Sequence, residues 1–96
     1  MKREKLIILT EITRHYQLDA DFFVKMEEFD LIKIHLIENE AYMHQKQLKK
    51  LEKIINLRQE LDINFPGIQV IFELLNRIDQ VEKELKDTQN RLKIFA

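Results

Sequence analysis

At 96 residues, 45% apolar and 34% charged, the chain has the size and composition of one small helical domain, too small to bury a large core and therefore helped by a partner chain. The absence of cysteine excludes disulfide frameworks, thiolate zinc sites and thiol nucleophiles, and the chain holds no serine either. The net charge of −1 conceals segments of opposite sign: residues 19–30 carry Asp19, Asp21, Glu27, Glu28 and Asp30 against Lys25 alone, whereas residues 44–61 carry Lys46, Lys49, Lys50, Lys53 and Arg58 against Glu52 and Glu60.

The basic start, MKREK, is followed by an apolar run, Leu6 to Leu9, that is too short for a signal-peptide core. No segment offers the roughly 20 apolar residues that span a bilayer, so a cytoplasmic protein without a membrane segment is expected. Thr10 stands where it would cap a short helix whose Ile12 and Tyr16 share a face at i and i+4. Leu18 is expected to plug a turn and Asp19 to cap a second helix, in which Phe22, Met26 and Phe29, with Phe23 alongside, form the buried stripe. Asp21, Val24, Lys25 and Glu28 are left facing outward, and residues 9–32 together have the pattern of a helix-turn-helix.

In residues 32–43 the period changes. Ile32, Ile34 and Leu36 alternate with Lys33, His35 and Ile37, and a polar Glu38-Asn39-Glu40 precedes Ala41-Tyr42-Met43, which predicts a short hairpin or wing even though its turn has no glycine. From about His44 to Leu61 the helical period returns, with Leu48, Leu51, Ile54 and Ile55 inward and the lysines read as a solvated face. Pro66 and Gly67 are the sole proline and glycine; Asn64-Phe65-Pro66-Gly67 reads as a tight joint dividing a domain of residues 1–65 from a long helix of residues 66–96. In that helix Ile71, Leu74, Ile78, Val81, Leu85, Thr88, Leu92 and Phe95 follow the alternating three-and-four spacing of a coiled coil. The front domain is expected to cover its first turns through Ile68, Val70, Phe72 and Leu75. The remainder is expected to pair with a second copy through Ile78, Val81, Leu85, Thr88, Leu92 and Phe95, in preference to folding back on its own domain.

Catalytic chemistry has no foothold in the pattern. His15, His35 and His44 fall on different elements without metal-ligand spacing, and a single glycine forbids a phosphate-cradling loop. Neither an enzyme nor a cofactor or metal site is expected. Function must then lie in a surface, and Asp21, Val24, Lys25 and Glu28 occupy the position where a helix-turn-helix presents its DNA-reading side chains. Their acidity opposes that use, because DNA affinity draws on cations that neutralise phosphates.

The order helix-turn-helix, wing, connecting helix and long pairing helix resembles the MerR-type winged-helix proteins. Within that group, Leu57 to Ile68 (LRQELDINFPGI) is similar to the junction of the chaperone modulator CbpM family, an LR-x-EL stretch, a polar or acidic spacer, an aromatic and then PGI. The resemblance runs from about Ile8 to Phe95. It implies a mainly α fold, a MerR-like winged helix-turn-helix with a small β-hairpin wing followed by a long C-terminal dimerisation helix. It further implies a non-enzymatic modulator that binds the J-domain of a DnaJ/CbpA-type co-chaperone and hinders its encounter with the DnaK-type chaperone. J-domains as a family present a basic helix, to which Asp21, Val24 and Glu28, with Glu11 or Glu27 at the edge, would offer carboxylates around an apolar centre. DNA-binding members of the larger group carry basic and aromatic residues on the second helix and a glycine near its end; Asp21, Val24, Lys25 and Asp30 stand at those positions here, so DNA is not the expected partner. The alternative is a MerR-type DNA-binding transcriptional regulator, with Lys33, His35 and the basic 46–53 segment on phosphates. A third reading is an anti-regulator that pairs its 71–95 seam with another MerR-like chain.

Overall fold

The computed structural model describes residues 5–95, with the side chain of Phe95 outside the description. The first element is a strand, β1 (Leu6–Ile8), that passes without a loop into helix α1 (Leu9–Tyr16). Thr10 is therefore not the cap: extended Ile8 occupies that position and offers no side-chain oxygen, while Thr13 Oγ1 donates back to the Leu9 carbonyl at 2.7 Å. The helix closes at Gln17, in the left-handed region at φ 55°, and Leu18 drops into the core, 5% exposed. Asp19 then caps α2 (Ala20–Glu28) as expected, its carboxylate accepting the Phe22 N–H at 2.9 Å. Of the aromatic stripe, Phe23 and Met26 form the buried part, whereas Phe22 and Phe29 are half-buried because their side of α2 meets the last helix instead of the core.

The wing forms as β2 (Ile34–Ile37) and β3 (Glu40–His44). Its two turn residues, Glu38 and Asn39, have φ of 50° and 66°, the pair of left-handed conformations that a two-residue type I′ hairpin turn needs. Asparagine reaches that region at small cost, so the turn closes without glycine. β3 is the central strand of a three-stranded antiparallel sheet, with β2 on one side (Ile34 opposite Met43, His35 opposite Tyr42) and β1 on the other (Leu6 opposite His44). Met43 carries the sheet into the core, where it lies fully buried with Met26, Leu51, Ile54 and Ile68.

A 3₁₀ turn (Gln45–Gln47) leads to α3 (Leu48–Ile55), and the Gln47 carboxamide grips the backbone just before β2 by accepting the Lys33 N–H and donating to the Lys33 carbonyl, both at 2.8 Å. The end of α3 widens into a π turn, Asn56–Glu60, in which the Leu61 N–H reaches back to the Asn56 carbonyl. Leu61 is left 65% exposed and Asp62 is left-handed at φ 54°.

The joint then starts α4 (Phe65–Phe95). Asn64 Oδ1 accepts the Gly67 N–H at 2.8 Å, and Pro66 sits in the first turn, where it has no donor to waste. A Cβ on Gly67 would lie 2.9 Å from Ile63 Cγ2 and 3.1 Å from Asn64 Oδ1, so the missing side chain lets Ile63 and the cap close over the helix start. Phe65 fastens this root to α2: its ring meets Phe22 edge-on at 5.3 Å and stacks on Phe29 at 6.3 Å. The Arg58 guanidinium lies 5.8 Å from the Phe65 ring centroid and is tied to Asp62 at 3.2 Å, while Gln69 Nε2 donates to the Phe29 carbonyl at 3.0 Å. Ile68 and Phe72 are covered by the front domain as expected, but Val70 and Leu75 are not, at 50% and 46% exposed. From Glu73 to Ile94 every residue of α4 is exposed.

These contacts give three expected outcomes in urea unfolding. Asp19→Ala and Asn64→Ala should each lower stability by about 1 kcal/mol, whereas Thr10→Ala should stay within about 0.5 kcal/mol, since it removes no cap. At the joint, Gly67→Ala should destabilise by about 1 kcal/mol despite alanine's better helix propensity, because β-branched Ile63 yields poorly to the new methyl. Phe65→Leu, which forfeits the stack and the cation contact, should lose roughly 1–2 kcal/mol.

Candidate functional site

The outward side of α2 brings together the residues singled out in the sequence. Asp21, Val24 and Glu28 are exposed, Val24 at 52%, and the Lys25 side chain remains 45% exposed. Lys25 Nζ stands 3.7 Å from Glu28 Oε2 on the same helix, so the one cation of the segment is already engaged. Both partners are well solvated, and such a pair contributes little to stability. Among the described residues no other cation lies within ion-pair distance of Asp19, Asp21, Glu27, Glu28 or Asp30.

The placement of these carboxylates along the helix separates structure from function. Asp19 and Asp21 sit at the N-terminus, where a helix dipole favours negative charge, and need no further reason. Glu27, Glu28 and Asp30 cluster at the C-terminus, where the same dipole disfavours them by about 0.3–1 kcal/mol each. Asp30 is also left-handed at φ 55°, the conformation in which helices usually place glycine, and the Leu31 N–H closes the end on the Met26 carbonyl at 2.9 Å. Glu27, Glu28 and Asp30 thus stand beside exposed Val24 at a helix end that gives them no electrostatic benefit.

Residues of the junction motif act from beside this face. Phe65 and Arg58 of the motif, with the adjoining Gln69, hold the flank of α2 formed by Phe22 and Phe29, so the joint fixes where the acidic face points relative to α4. Sequence reasoning identified the motif without this role, because nothing in its spacing reveals which helix the aromatic touches.

The histidines are dispersed as anticipated: His15 lies edge-on to Tyr16, His35 pairs across the wing with Tyr42, and His44 Nδ1 accepts the Lys46 N–H at 3.0 Å. Among the described residues no group of three potential ligands is placed to hold a metal, and no helix is long and apolar enough to cross a membrane. Between α1 and α3, Tyr16 donates to Glu52 Oε1 at 2.9 Å; burial of the phenol and this carboxylate raise the tyrosine pKa. Burial lowers that of Lys50, whose ammonium is tucked 4.9 Å over the Phe72 ring.

The second surface of interest runs along α4. Ile78, Val81, Leu85 and Leu92 are 53–65% exposed in one seam, with Leu74 above them at 55%. Thr88 lies within the seam with its hydroxyl satisfied by the Glu84 carbonyl at 3.0 Å. Phe95, expected at the end of the seam, has its side chain outside the described residues.

A search of curated proteins finds no match to this chain. The family described as MerR HTH family regulatory protein matches residues 7–90, spanning the helix-turn-helix, the wing, α3 and most of α4. With this match over nearly its whole length, and with the order of elements that its sequence resembles, the chain belongs to the MerR helix-turn-helix family of regulatory proteins.

Proposed function

We propose that this chain is a non-enzymatic chaperone modulator, which binds the J-domain of a DnaJ/CbpA-type co-chaperone through the outward face of α2 and so hinders its encounter with the DnaK-type chaperone. The observation that carries the reading is the acidic C-terminal end of α2, where Glu27, Glu28 and Asp30 oppose the helix dipole beside exposed Val24. In a regulatory family whose second helix is the natural reading head, such a face repels phosphate and suits a basic helix. The similarity of Leu57 to Ile68 to the CbpM-type junction supports the same partner. Inhibition would come from occupancy: complementary charge speeds encounter, and burial of Val24 against an apolar spot holds the pair.

The proposal includes a homodimer through the α4 seam. Ile78, Val81, Leu85 and Leu92 are each more than half exposed, and covering the rest is worth on the order of 1 kcal/mol per residue. Leu85→Lys should therefore yield a monomer in sedimentation velocity, while Thr88→Leu should tighten the dimer severalfold. A wild-type chain that sediments as a monomer at high concentration would remove this part of the proposal.

A second reading, a DNA-binding regulator, draws on family membership and on exposed Lys33, Lys46, Lys49 and Lys53. These residues could meet phosphates, but phosphate contacts position without reading sequence. Calorimetric titration with a J-domain from the same organism, at physiological salt, separates the two. Saturable binding is expected, and Asp21→Lys with Glu28→Lys should weaken it at least tenfold, about 1.4 kcal/mol, with an unchanged melting temperature. Absence of J-domain binding together with steeply salt-dependent binding of a specific DNA sequence would replace the first reading by the second.

A further inference from the structure

The basic side chains left unused by the α2 face are not one uniform solvated surface. Lys50 is folded over Phe72, and Arg58 is held by Asp62 and Phe65. Lys46 and Lys49, by contrast, line a surface cleft of about 530 Å³ together with Lys5, His44 and Gln45.

The cleft is built where four parts of the chain meet: the residue before β1, the end of β3, the 3₁₀ turn and the first turn of α3. Its walls are tied together by backbone, since the Gln45 N–H donates to the Lys5 carbonyl at 2.9 Å and continues the β1–β3 pairing. His44 is oriented by accepting the Lys46 N–H at Nδ1, which leaves the ring proton on Nε2. The lining thus offers three ammonium groups, an imidazole N–H and a carboxamide. Among the described residues no carboxylate lines it, and none of the ion pairs engages Lys5, Lys46 or Lys49.

We propose that this cleft is a binding site for a compact phosphate-bearing ligand. With three lysines on one cleft, an anion seated there would meet positive charge from more than one side. A carboxylate brings one charge, whereas a chain of phosphates brings several in the same space with acceptor oxygens on every side, which suits lysine as a point-charge donor. The oligophosphate of a nucleotide and successive phosphates of a nucleic-acid backbone share this chemistry. The site goes beyond the proposed J-domain function and uses no residue of the α2 face.

The test is a titration of the full chain, followed by amide NMR shifts, with inorganic tripolyphosphate, with ATP and with a short DNA duplex, each at low and physiological salt. Tripolyphosphate should bind saturably and shift the amides of Lys5 and of residues 44–49. Lys46→Gln with Lys49→Gln should weaken it at least tenfold while leaving the melting temperature and the J-domain titration unchanged. If the duplex binds at the same amides with a salt slope that the double variant reduces by about 2, the source is a nucleic-acid backbone; if only tripolyphosphate and ATP bind there, it is a free oligophosphate. Either result supports the site. No shift at these amides with any of the three anions, or equal affinity in the double variant, would overturn it, whatever the J-domain titration shows.

Discussion

The seat of Phe65 between α2 and the root of α4 is the contact on which the two exposed surfaces of this protein depend. Its ring takes Phe22 on its edge and Phe29 on its face, and Arg58 covers it from the π turn. The half-buried side of α2 is completed by it, and the first turn of α4 is held by it. Without that seat, Asn64 and Gly67 would still start a helix, but its direction relative to the acidic face would rest on Ile68, Phe72 and the Gln69 hydrogen bond. The joint is dense for this reason. A π turn, a left-handed Asp62, a proline in the first helical turn and a close-packed glycine follow one another within about a dozen residues, each a local departure that positions the aromatic between them.

The electrostatics are arranged by element. Carboxylates gather on α2, where the lone lysine is neutralised by Glu28, and uncommitted ammonium groups gather at the β1, 3₁₀ and α3 junction. A nearly neutral chain therefore presents two fields of opposite sign. The acidic one lies on the outward side of the second helix of the helix-turn-helix, the side from which such motifs meet DNA.

Much of this was legible in the sequence because it is local or strongly periodic. The Asp19 cap, the buried Leu18, the alternating wing and the heptad of α4 follow from spacing alone, and Asp21, Val24 and Glu28 are exposed on one side as the 3.6-residue period requires. What escaped depends on contacts distant in the chain. Three apolar residues flush against a helix carry no strand signature, and β1 exists because β3 pairs with it some 35 residues later. Thr10 looked like a cap only while that strand was unknown. Adjacent Phe22 and Phe23 are equally apolar, so periodicity could not decide which faced the core; Phe65 decides it. The lysine cleft was hidden likewise, because Lys5 joins Lys46 and Lys49 only through the sheet.

Helix α4 is gripped over little more than its first two turns, and its remaining length, roughly 34 Å at 1.5 Å per residue, stands clear of the domain. Such a helix is a lever. A tilt of roughly 10° at the root carries its tip through roughly 6 Å, about one helical turn. Small adjustments at Phe65 are thus magnified at the seam, and a second helix lying along that seam would in turn hold two such acidic faces at a set spacing.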